Sequence, residues 1–172
     1  HNDKLVVEAK GIYSIEKFLV ARRLMYWQVY LHKTSIAAEI MLISIMRRAK
    51  ELALKGEVLF GPPSLLYFLS GDITLNHFES SPETLDHFAQ LDDSDILSAV
   101  KVWSSHPDKV LSTLCHDFSN RKLFKVEILT EKEKGEILRK HYLEKYQRHF
   151  NISEQEAGYF LGVETVSTDT YS

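Results

Sequence analysis

Between residues 12 and 32 the apolar positions Ile12, Ile15, Phe18, Leu19, Met25 and Val29 fall on a helical spacing, with no proline or glycine inside the run. Apolar residues at three- and four-residue steps line one face of an α-helix, so the pattern predicts one long amphipathic helix. A second helix is predicted to start where Thr34 or Ser35 can cap free backbone N–H groups, to carry Ile36, Ile40, Ile43 and Met46, and to stop near Gly56. Arg47, Arg48, Lys50 and Lys55 collect towards its C-terminal end, where the helix dipole favours cations. Gly61-Pro62-Pro63 then breaks the pattern. Apolar runs at residues 64–69, 82–90, 95–104 and 107–118 predict a bundle of short helices, with Pro82 and Pro107 in first turns and Ser81 and His106 just outside.

Three runs read differently. Residues 4–9, 123–129 and 162–166 are β-prone and too short to stand alone, so they predict a small β element in which they pair. Between the last two, a charged helix is predicted from residue 131 to about residue 150. The fold class expected is therefore mainly α: a multi-helix bundle with two long N-terminal helices and a small β element in the C-terminal part. Residues 1–120 are expected to form the helical part of one domain and residues 121–172 an α+β subdomain, with both ends cut from something longer.

Composition changes this picture little. The chain has 172 residues, 44% of them hydrophobic and 26% charged, ordinary values for a folded body that needs no disulfide staples. A formal net charge of −3 gives no general basic footprint, so nucleic-acid binding is not indicated and any anion site must be local. The single cysteine, Cys115, has no internal partner and reads as a packed thiol; with no signal-peptide pattern at the N-terminus, the cytoplasm is the expected compartment. The apolar stretch of residues 34–54 is broken by five charges, so no membrane span is expected.

The chemistry is concentrated on the first helix. Arg22, Tyr26, Tyr30 and Lys33 follow at steps of four, four and three, which puts them along one face. A guanidinium grips phosphate oxygens with a planar fork, a tyrosine packs on a base or sugar while donating a hydrogen bond, and an ammonium adds a point charge. That set suits a nucleotide. It equally fits a helix side with snorkelling cations and interfacial tyrosines. His116-Asp117 is a His-Asp pair, but a metal site there would need a further histidine and aspartate brought close, and it is read as no metal site. His77 and His87 are read as surface or interhelix residues, and no phosphate loop, nucleophile elbow or His-Glu-x-x-His pair occurs.

The run from Ala21 through Arg22, Tyr30 and His32 to Lys33, an Arg followed by Tyr-x-His-Lys, resembles the signature of the HD-domain deoxynucleoside triphosphate triphosphohydrolases, including vertebrate members that join a SAM domain to the HD domain. A second match, Arg121-Lys122-Leu123-Phe124-Lys125, is similar to that family's Arg-x-Leu-Phe-Lys segment, and the likeness runs over residues 11–125. The resemblance implies that Arg22 contacts substrate phosphates and that Tyr30 lines the sugar and base pocket; the shared helix face adds Tyr26 to the expected substrate-binding residues. It further implies that His32 and Lys33 help form a regulatory nucleotide site at subunit contacts. Leu31 departs from the pattern, standing where the vertebrate members have a glutamine beside the substrate. The family's divalent metal is held by a histidine, a His-Asp pair and a distant aspartate that precede this stretch. The 21 residues before Arg22 contain no such set, so no catalytic residue and no metal ligand is expected in this chain. The expected function is the substrate-binding and oligomer-forming portion of such a hydrolase, with a deoxynucleoside triphosphate and further copies of itself as partners. The alternative is a non-catalytic helical module for nucleotide or nucleic-acid binding and subunit assembly.

Overall fold

The computed structural model describes residues 6, 8–129 and 132–164. They divide into two compact units, one ending at residue 36 and one covering residues 37–164. In the first unit a short 3-10 turn, Ala9–Gly11, leads into α1 (Ile12–Met25), which passes into a single π-helical turn, Tyr26–Tyr30. No residue of α1 or of the π turn is buried.

The second unit is built on α2 (Lys33–Leu54), whose Ala37, Met41, Ile45, Ala49 and Leu52 recur at steps of three and four and are all buried. Around this stripe follow α3 (Pro63–Ser70), α4 (Leu75–Ser80), α5 (Pro82–Gln90), α6 (Asp93–Trp103) and α7 (Lys109–Ser119), then α8 (Lys132–Phe150) and the short α9 (Glu154–Ala157). Trp103, Val100, Leu111, Leu114 and Cys115 fill the centre, with Phe160 closing one side. The Trp103 indole N–H donates to the Phe60 carbonyl at 2.9 Å, so the largest core side chain leaves no polar atom unsatisfied. Burial pushes the Cys115 thiol up to about 12, which makes it an inert packing group.

The same unit holds a buried charge. Arg48, 5% exposed, donates from Nε and Nη2 to both oxygens of Asp108 at 3.1 and 2.6 Å, from Nη1 to Glu51 at 2.9 Å, and from Nη2 to Glu156 at 3.0 Å. Tyr159 and Lys55 donate to the same Glu51 carboxylate at 2.7 and 2.6 Å. Asp108 also caps α7 by accepting from the Leu111 N–H, and Glu156 closes a capping box with Ser153. One guanidinium thus ties α2 to the starts of α7 and α9.

The carboxylates show it in their acidity. Lys55, then Tyr159 and Arg48, hold Glu51 down to about 2 against the effect of burial. Burial works against Asp108 too, yet the Arg48 and Leu111 hydrogen bonds keep it below its ordinary value; Ser153 and Arg48 do the same for Glu156. A carboxylate whose pKa falls on folding contributes stability that is complete above its unfolded value and lost as pH falls through the folded one. The unfolding free energy is therefore expected to be flat between about pH 5 and 8 and to drop between about pH 4.5 and 2. Urea titrations across that range check it, and a drop centred near pH 6 would contradict the assignment.

The sequence expectations need four corrections. No strand occurs among the described residues, so the β element is not there. Residues 123–129 have no partner strand among the described residues: Leu123 and Phe124 turn onto the core, and Val126, Ile128 and Leu129 stay exposed. Of the expected partners, residues 4, 5, 7, 165 and 166 lie outside the described residues; residues 6, 8 and 162–164 are irregular and Ala9 sits in the 3-10 turn. Second, the first long helix does not stay α-helical to residue 32. Third, Thr34 and Ser35 do not precede α2 but lie in its first turn; the His32 ring Nδ1 accepts from the Thr34 N–H at 3.3 Å, and the Ser35 hydroxyl reaches back to the Val29 carbonyl at 2.8 Å. Fourth, Pro107 is not in a first turn, because Asp108 is the cap and α7 opens at Lys109.

α7 ends with Arg121 in the left-handed region, at φ 58°. The Lys122 N–H bonds to the Asp117 carbonyl at 2.8 Å and the Arg121 N–H to that of Phe118 at 3.1 Å, a helix stop that favours glycine at the position Arg121 holds. Arg121→Gly is expected to raise stability by about 0.5–1 kcal/mol, since relief of the Cβ clash outweighs the extra freedom of the unfolded chain. Thermal melts of the two proteins test this, and a lower midpoint for the variant would refute it.

Candidate functional site

Arg22 lies in the last turn of α1, where its exposed side chain is free of carboxylate partners among the described residues. Its guanidinium lies 5.7 Å from the centre of the Tyr26 ring, and the Tyr26 and Tyr30 rings are 5.1 Å apart, tilted by 46°. The three therefore form a continuous ladder of one cation and two rings. Phe18, Ala21 and Met25 complete the lining of a shallow concavity on this side of the helix. Tyr30 is 56% exposed, which leaves its ring and hydroxyl open to a ligand.

The Leu31 N–H donates to the Tyr26 carbonyl at 2.8 Å, a bond spanning five residues that closes a π turn. Residues four apart are neighbours on an α-helix as well, so the meeting of the two rings follows from their spacing. Sequence spacing put the residues on one face but gave no sign of the π turn; Trp27 and Val29, both weak helix formers, are its only local cue.

His32 and Lys33 are exposed and sit at the junction of the π turn and α2. His32 is turned to its own backbone through the Thr34 N–H, so Nδ1 serves as an acceptor and Nε2 is the atom left for a ligand. Lys33 opens α2 without a carboxylate partner among the described residues. The site so described offers cations, ring faces and hydroxyls.

A divalent metal does not fit the described residues. No group of three or more His, Cys, Asp and Glu side chains comes together among them. His116 Nδ1 lies 3.4 Å from the oxygen of its own neighbour Asp117, an exposed pair without a third ligand. His77 is used in the capping box of α4, where its ring nitrogen accepts from the Thr74 N–H at 3.0 Å. His87 stacks on Tyr67 at 4.3 Å and meets the Ser64 hydroxyl at 3.2 Å. Among the described residues no single helix is long and apolar enough to cross a membrane.

Comparison with known proteins bears on this region directly. Residues 1–59, which hold the whole ladder, match the family model described as the HD associated region. A crystal structure of a phosphohydrolase from Bacteroides thetaiotaomicron is 52% identical with a TM-score of 0.84, over 92% of this chain and 39% of that one. The uncharacterized protein YwfO of Bacillus subtilis is 36% identical over 122 residues, which are 71% of this chain and 26% of YwfO. A Mycoplasma pneumoniae protein, the uncharacterized MG461 homolog, is 27% identical over 91% of this chain and 40% of its own length. The chain thus spans roughly a quarter to two fifths of the proteins it matches. These likenesses support an HD-domain family and a hydrolase-related module.

Proposed function

We propose that this chain is the nucleotide-facing and assembly portion of an HD-domain phosphohydrolase acting on deoxynucleoside triphosphates. In this reading Arg22 grips the substrate phosphates, Tyr30 and Tyr26 pack along sugar and base, and His32 and Lys33 face a regulatory nucleotide or a neighbouring subunit. The observation that carries it is the ladder of Arg22, half-buried Tyr26 and exposed Tyr30, which ends in a π turn. Such turns are often found at functional sites. The 52% identity to a phosphohydrolase supports the hydrolase class, and the deoxynucleoside triphosphate rests on the Arg22 and Tyr30-x-His32-Lys33 resemblance.

The chemistry of water activation lies outside this reading of the chain, because the described residues supply charge and shape but no metal-ligand set. The purified chain is expected to bind a deoxynucleoside triphosphate weakly and to release no triphosphate from it with manganese or magnesium. A protein of the relatives' full length that includes this chain is expected to release triphosphate. Hydrolysis by the chain alone would overturn the division of labour. A full-length protein that binds nucleotides but hydrolyses none with either metal would leave a non-catalytic binding module as the function.

A further inference from the structure

Residues 56–100 hold eight carboxylates and not one lysine or arginine, while the rest of the chain carries 21 Lys and Arg against 16 Asp and Glu. This negative segment is folded: it builds α3, α4, α5 and most of α6. On it, the rings of Phe68, Phe78 and Phe88 meet with centroids 5.6 to 6.4 Å apart. Leu75 stands three residues before Phe78 on α4 and Leu85 three before Phe88 on α5, so each pair shares a helix face.

The inner side of this cluster is held firmly. Tyr67 stacks on His87, and its hydroxyl meets that of the buried Thr84 at 2.8 Å. The outer side is bare, with Leu75 73%, Leu85 55% and Phe88 57% exposed. Glu79 follows Phe78 and Asp86 follows Leu85, and both carboxylates are exposed without a cation partner among the described residues. An apolar patch on a rigid support, flanked by unneutralised carboxylates, is thus what this face presents to solvent.

From this we infer that the α4–α5 face docks a basic amphipathic helix of a partner protein, its apolar stripe on Leu75, Phe78, Leu85 and Phe88 and its lysines or arginines over Glu79 and Asp86. Charge complementarity selects the occupant: nucleic acids and anionic lipid surfaces share the sign of this face and are repelled by it. The desolvated aromatic centre supplies affinity, and the carboxylates supply orientation and approach rate. The inference is independent of the nucleotide reading, since it uses none of the residues of the ladder.

The test uses the full chain and three labelled synthetic peptides. One is a leucine-lysine helix with an apolar stripe, one its leucine-glutamate counterpart, and one a scrambled leucine-lysine peptide of the same composition without a stripe. Fluorescence anisotropy is expected to show micromolar binding of the first and about tenfold or weaker binding of the others. Binding should weaken several-fold when salt is raised about tenfold. Phe88→Ser and the pair Glu79→Lys/Asp86→Lys should each lose about tenfold or more, whereas Glu57→Lys, on the same acidic segment but away from the rings, should bind nearly as the parent does. Circular dichroism confirms that each variant folds, and the charge-reversed pair keeps the test valid if Phe88→Ser does not. Equal binding of the lysine and glutamate peptides, or an unaffected charge-reversed pair, would overturn the inference. So would sedimentation of the peptide-free chain as a dimer that Phe88→Ser dissociates, which would give the face to a second copy.

Discussion

Arg48→Ala is expected to cost about 3–5 kcal/mol of folding stability, because it strands the Asp108 carboxylate and takes one partner each from Glu51 and Glu156, which keep Lys55, Tyr159 and Ser153. The cost is that of unpaired buried charge more than of lost packing, and this can be separated. Arg48→Met keeps the stem and loses the fork, so it should cost nearly as much as alanine in the parent. Combined with Asp108→Asn, which removes the carboxylate that Arg48 holds with two hydrogen bonds, it should recover a substantial part of the loss. Arg48→Lys keeps the charge but cannot make the two-point contact, and should fall between. Urea unfolding of the parent and the four variants measures this. A loss below about 1 kcal/mol for Arg48→Ala would mean that the ion cluster contributes no net stability.

In the full-length protein, Arg22→Ala is expected to lower catalytic efficiency towards a deoxynucleoside triphosphate by about 30- to 1000-fold, equivalent to roughly 2–4 kcal/mol. The loss is that of a charge-assisted contact, two-pronged where the fork meets two phosphate oxygens. Arg22→Lys should restore only part of it. Arg23 is the internal control: one residue on and about 100° round α1, it is equally exposed and should matter much less. Neither arginine holds a carboxylate among the described residues, so stability should be nearly unchanged in both variants. That makes a kinetic difference interpretable. Equal activity for Arg22→Ala and the parent would reduce the ladder to ordinary helix surface.

How far the residues themselves announced these features differs from element to element. α2 was legible because its buried stripe repeats every three or four residues and Gly56, at φ 91°, ends it. Ser81 before Pro82 marked the start of α5 to the residue. The π turn was not legible, since the same polar spacing is compatible with an α-turn and the choice lies in a single backbone hydrogen bond. α4 was missed for a related reason: it has six residues and is opened by Thr74 with a histidine completing the capping box. The β reading failed because the partial alternation in residues 123–129 does not mark a buried face: Leu123 and Phe124 reach the core side by side, and pairing is a property of a second segment. Within the candidate site, spacing brought Arg22, Tyr26 and Tyr30 to one face, while the 46° tilt between the two rings is a detail of side-chain geometry that spacing does not carry. The Arg48 cluster was invisible as a cluster, since its members lie 60 and 108 residues from Arg48 along the chain.

That long reach has a bearing on where the polypeptide tolerates being cut. Residues 154–160 supply the third carboxylate to Arg48, the Tyr159 hydroxyl to Glu51 and the Phe160 ring to the core. Asn151, at φ 53°, and the exposed Ser153 just before them form the kind of surface bend that a protease enters. A nick there does not trim a spent tail. It removes a counter-ion and a core side chain from a helix laid down more than a hundred residues earlier, so the seven residues from Glu154 to Phe160 act as a locking peptide for the whole second unit. During synthesis the same dependence delays completion: α2 can form early, but its arginine stays short of a partner until the ribosome has released residue 156.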